Sequence, residues 1–196
     1  SPAYLWKKNG STISGATAST YSYVPLNNDI ISCVLTSNAP CPTGNPATSN
    51  AITMAVNPLL PVSVTISESE NNVCAGTSVT FTATPVNGGA TPVYLWKKNG
   101  LTISGATAST YSYIPVNNDI ITCQLTSNAT CPTGNPATSN AITMTVNPLL
   151  PVSVTISESA NNVCAGTSVT YTATPVNGGT SPVYLWKKNG STISGA

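Results

Sequence analysis

Six cysteines carry most of the reactive chemistry in this chain: Cys33, Cys41, Cys74, Cys123, Cys131 and Cys164. None falls in a CxxC pair and the sequence has no histidine, so a mixed Cys/His zinc site is excluded and an oxidising compartment is the simpler reading. Cys74 precedes a strand-like run and Cys131 lies in a hairpin-like loop. A bond between them is the leading pairing, with Cys164 and Cys41 as their respective copies, although three cysteines per repeat allow three pairings. Cys123 alternates with Ile121 and Leu125, which makes it and its copy Cys33 small core hydrophobes.

The remaining ionisable groups are few. All six basic residues are lysines in three pairs, Lys7-Lys8, Lys97-Lys98 and Lys187-Lys188. Repeated at fixed intervals, they could form a cationic track for an anionic polysaccharide, but lysines also keep a sheet edge soluble and unpaired, and that reading is favoured. Lys98, Asp119 and nearby asparagines supply the parts for an intramolecular amide cross-link, yet solvated lysines and turn asparagines explain the same residues. Calcium needs six to eight oxygen ligands, and Glu68, Glu70 and Asp119 are too few, the more so because Glu70 is copied as Ala160. Without histidine, a GxSxG motif or a phosphate-binding glycine loop, the sequence points to no enzyme, no metal and no cofactor. A net charge of +1 gives no basic cluster for nucleic acid.

These residues recur because the chain repeats. Tyr4-Leu5-Trp6-Lys7-Lys8-Asn9-Gly10 returns at Tyr94 and again at Tyr184, a period of 90 residues and therefore of a whole domain. Residues 1–59 differ from 91–149 at nine positions, and 60–106 differ from 150–196 at five, as expected of recent duplication within an array. Proline-rich joins, Pro58-Leu59-Leu60-Pro61 and Pro148-Leu149-Leu150-Pro151, set the frame, since proline cannot donate to a ladder. One complete domain then spans 60–149. Residues 1–59 lack its first two strands, and 150–196 lack its last ones. A window cut from a longer array is the simpler expectation than completion of the two ends by another molecule. No apolar run approaches the ~20 residues of a membrane span, and the first residues do not resemble a signal peptide.

Within the complete repeat, period-two alternation predicts strands at 62–67, 78–84, 93–98, 110–114, 120–126 and 141–146, with no helical periodicity. The fold class is all-β. Alternation nominates Val79, Phe81, Ala83, Trp96, Tyr111, Tyr113, Ile121 and Leu125 as core, with Trp6 and Trp186 as copies of Trp96.

The stretches 76–83 (GTSVTFTA), 94–100 (YLWKKNG) and 119–123 (DIITC) resemble an immunoglobulin-like β-sandwich, with Trp96 as the usual central tryptophan. The usual second-strand cysteine falls near Ala83, so the inter-sheet disulfide of antibody domains cannot form there. In that topology the turn bearing Cys74 and the hairpin bearing Cys131 lie at opposite ends. A hairpin cysteine bonded to the preceding domain's pre-strand cysteine is therefore the rival pairing.

More narrowly, 73–85 (VCAGTSVTFTATP), 105–111 (GATASTY) and 131–140 (CPTGNPATSN) are similar to Ig-like and PKD-like repeats of giant Bacteroidetes surface proteins. That resemblance implies secretion by the type IX system, a place outside the cell or on its surface, and a relation to gliding-motility adhesins. The expected function is a stalk or spacer that displays adhesive regions and whose joins bury their leucines against adjoining domains. The alternatives are repeats that bind glycans directly as a multivalent adhesin, and self-assembly into a filament of like molecules.

Overall fold

The computed structural model describes residues 1–195. Every regular element among them is a strand, and no helix is long and apolar enough to cross a membrane. The architecture is that of immunoglobulin-like β-sandwich repeats.

In the middle of the chain, one sheet orders Thr110–Tyr113, Val79–Val86 and Ser63–Glu68. A second orders Leu101–Thr102, Val93–Lys98, Ile120–Thr126 and Ala137–Thr138, and Ile142–Thr143 also pairs with Ile120–Thr126. Two short parallel pairs accompany them, Leu60–Pro61 with Pro132–Thr133 and Val73–Cys74 with Val146–Asn147. Residues 141–146, expected as one strand, are thus split into two short pieces that pair with different partners. The tight return after Val93–Lys98 is made by Asn99-Gly100, both at positive φ (51° and 80°), the backbone a two-residue hairpin requires.

The described chain divides into two compact units. The first comprises residues 1–67, 81–111 and 121–142. At its centre Trp96 is fully buried, with Phe81 at 6.4 Å and Tyr111 at 6.0 Å between ring centroids. Ile31, Val62, Val64, Ile66, Ala83, Tyr94, Ile121, Cys123, Leu125 and Ile142 are buried in this unit as well. The N-terminal copy in this unit builds its own sheet from Ser11–Thr12, Ala3–Lys8, Ile30–Thr36, Ala47–Thr48 and Ile52–Thr53. Trp6 there is only half-buried.

The second unit comprises residues 68–80, 112–120 and 143–196, of which 143–195 are described. Val73, Val79 and Met144 are buried in it, together with Asp119. Its C-terminal part forms a hairpin of Ser153–Glu158 with Tyr171–Val176 and a short one of Lys187–Lys188 with Ser191–Thr192.

Two expectations about the joins are corrected. The first join does not simply interrupt strand pairing: Leu60 N–H donates to the Cys131 carbonyl (3.0 Å) and Val62 N–H to Thr133 (2.9 Å), so Pro61, which has no N–H, falls between the two ladder bonds. Nor do the leucines bury. Leu59, Leu149 and Leu150 are exposed and Leu60 is half-buried, while Pro58, Pro61, Pro148 and Pro151 lie on the surface.

Candidate functional site

The strongest polar cluster forms where the Ala3–Lys8 strand ends beside the loop that opens Ile30–Thr36. Lys8 Nζ lies 2.9 Å from Asp29 Oδ2, whose carboxylate also accepts from the Leu26 N–H (2.8 Å) and from Asn9 Nδ2 (3.3 Å). Asn9 in turn accepts the Ile30 N–H at 2.7 Å, and the ammonium sits 5.3 Å from the Tyr23 ring centre. The Leu26 N–H, then the Lys8 ammonium, hold the Asp29 carboxyl below its ordinary value; the bond to Asp29 raises Lys8. Burial raises Tyr23. Lys8 and Asp29 form an ion pair closing a loop.

In the next copy Asp119 is buried and accepts from Tyr113 Oη and the Val116 N–H, both at 3.0 Å. Lys98 is engaged as well, and Lys97 is half-buried. Lys7 is half-buried too, whereas Lys187 and Lys188 are exposed.

All six cysteines are unbonded in the structure, Cys74 and Cys131 among them. Cys74 stands opposite Asn147 in one parallel pair, while Cys131 offers its carbonyl to Leu60 beside another. Cys41, Cys74, Cys131 and Cys164 are exposed. Cys123 is buried, its thiol pushed up to about 11 by burial, and its copy Cys33 is half-buried. Of the other nominated core residues, Val79, Phe81, Ala83, Trp96, Ile121 and Leu125 are buried, whereas Tyr111, Tyr113 and Trp186 are partly exposed. Tyr94, Met144, Ile142 and Val73 are buried without having been nominated. Met144 follows Ile142 by two on the same alternation, so the signal for it was present.

Among the described residues no group of three metal-ligating side chains converges. What recurs is a set of loop clamps. Trp6 Nε1 and Trp96 Nε1 donate to Ala18 and Ala108 at 2.9 Å each. Asn45 and Asn135 accept the Ser37 and Ser127 N–H groups at 2.8 Å. Asn27 and Asn117 accept from Val56 (2.9 Å) and Val146 (3.0 Å), and Asn87 and Asn177 reach the Pro61 (2.6 Å) and Pro151 (2.7 Å) carbonyls. Ser127, almost fully buried, bonds the Asn87 carbonyl at 2.6 Å.

No family model matches the sequence. A protein of Enterobacteria phage T4 described as "Highly immunogenic outer capsid protein" is 31% identical over 216 residues, an alignment covering 98% of this chain and 54% of the relative. The chain thus spans about half of that protein's length. Among solved structures, the N-terminal four Ig domains of Dscam1 isoform 7.44 overlap 74% of this chain and 38% of their own at 15% identity, TM-score 0.38. The mouse nectin-like molecule 4 ectodomain overlaps 76% and 55% at 14% identity, TM-score 0.35.

Proposed function

We propose that the chain is a segment of an extracellular, non-enzymatic spacer in which Ig-like repeats, each about the span of residues 60–149, hold other regions away from a surface. The observation that carries this reading is the recurrence of the loop clamps. The same Asn, Trp and Asp side chains close the same loops in successive copies, so the polar residues that repeat are those that stiffen the repeat. The similarity of 73–85, 105–111 and 131–140 to Bacteroidetes surface repeats supports display on a bacterial surface after type IX export. The phage outer capsid protein supports a second location for the same spacer, the outside of a virus particle.

The test is to place a known binding module at the end of two, four and eight copies of residues 60–149 anchored on a surface. The height of the module should rise with copy number while its affinity stays unchanged. Retention of glycans or cells by the copies alone would replace the spacer with a multivalent adhesin.

A further inference from the structure

Cys74 and Cys131 are both exposed, and the backbone ties each of them beside a different join of the repeat 60–149. On the entering side, the Cys131 carbonyl accepts the Leu60 N–H at 3.0 Å, and Pro132 stands opposite Leu60. On the leaving side, Cys74 stands opposite Asn147. There the Val73 N–H donates to the Thr145 carbonyl (3.0 Å) and the Ala75 N–H to the Asn147 carbonyl (2.8 Å). One thiol thus marks the residues by which the chain enters the repeat, and the other those by which it leaves.

The backbone of Cys131 is a separate observation. Cys131 and its copy Cys41 hold φ at 56° and 57°, and among the described residues every other non-glycine residue at positive φ is an asparagine. Asparagine suits that conformation because its short amide bonds to nearby backbone, a compensation that a thiol does not supply. An exposed cysteine where the backbone favours glycine or asparagine points to a use for the sulfur. Cys123, by contrast, is buried and out of reach of a dissolved oxidant.

Leu150 is the copy of Leu60 and follows Asn147 by three residues. Where one complete repeat follows another, Cys131 of the second is held to Leu150 as Cys131 is held to Leu60. Cys74 of the first and Cys131 of the second then flank the same three-residue step, whose Cα ends lie at most about 10 Å apart. A disulfide joins Cα atoms roughly 4.4–6.8 Å apart, a separation that so short a step can present.

We propose that consecutive repeats are stapled by a disulfide from Cys74 of one to Cys131 of the next. The Cys74 thiolate attacks a dissolved disulfide, such as oxidised glutathione, and expels one glutathione thiolate. The Cys131 thiolate then attacks the Cys74 sulfur of that mixed disulfide and expels the other. Two cysteine thiols are oxidised, one glutathione disulfide is reduced to two glutathiones, and the two cysteine protons pass to the leaving thiolates. The proposal rests on the spacer reading for its purpose, since a staple at each join fixes one repeat against the next.

The test uses residues 1–149 followed by a second copy of 60–149, with Cys41→Ser throughout. Oxidised glutathione is added to the native chain, remaining thiols are alkylated, and linked peptides are identified by mass spectrometry. Cys131→Ser in the first copy with Cys74→Ser in the second leaves one pair across the join. This chain should close one internal disulfide to the same extent at every chain concentration. The reciprocal chain, with Cys74→Ser in the first copy and Cys131→Ser in the second, should stay open. A third chain, carrying both substitutions in the second copy, keeps Cys74 and Cys131 within one repeat and should stay open too. Free thiols in the first chain, or closure of either control, would overturn the staple. A tandem that keeps its thiols free yet lengthens by a constant increment per copy would lose the staple and retain the spacer.

Discussion

At the scale of single residues, Asp29 is shifted by its partners and Cys123 by burial. The Asp29 carboxylate is held below 3.8 by the Leu26 N–H and Lys8, and Lys8 is raised above 10.5 by Asp29. A lowered acid stabilises the fold above its ordinary value and loses that contribution as pH falls through the lowered one. A raised lysine contributes below its ordinary value and loses it as pH rises through the raised one. The clamp should therefore hold between pH 3.8 and 10.5, with a carbon-13 titration placing the Asp29 midpoint below 3.8 and Asp29→Asn removing the Lys8 shift. Cys123, with a pKa of about 11 and no exposed surface to speak of, should resist a thiol reagent at pH 8 in the folded chain, while Cys41, Cys74, Cys131 and Cys164 react at once. The place of Cys123 was legible from its alternation with Ile121 and Leu125. The role of Asp29 was not, because its partners Leu26, Asn9 and Lys8 meet it only through a loop whose path the sequence pattern leaves open.

At the scale of elements, identical residues differ by what lies opposite them. Gly89 has φ +80°, and a β-carbon there would collide with the Asn128 side chain and come within 2.6 Å of the Ala129 nitrogen. Its copy Gly179 has φ +75° with open space around it. Gly179→Ala should therefore cost only the strain of a left-handed alanine, roughly 1–2 kcal/mol. Gly89→Ala must add a backbone displacement and cost measurably more, as chemical denaturation of each variant will show. Trp96→Ala, which empties the centre of the sandwich and orphans the Ala108 carbonyl, should cost about 3–5 kcal/mol. Long strands such as Val93–Lys98 and Ile120–Thr126 could be read from β-branched alternation to the residue. The two-residue parallel pairs could not, since Leu60–Pro61 and Val73–Cys74 are too short for any period and exist only because of what passes beside them.

At the scale of the whole chain, repetition was the most legible feature, because nine differences in 59 positions leave no other reading of residues 1–59 and 91–149. Burial needed coordinates: Val64 and Ile66 are buried, while Val154 and Ile156, identical in type, are exposed. The spacer account rests on repeats that add length in equal steps. The proline-bearing joins restrict the backbone, and the first is further tied down through Leu60 and Val62 to the Cys131–Thr133 loop. The decisive measurement is small-angle scattering from chains carrying one, two, four and eight copies of residues 60–149. The account predicts a maximum dimension that grows by a constant increment per copy. Growth nearer the square root of copy number, the signature of freely jointed domains, would contradict it.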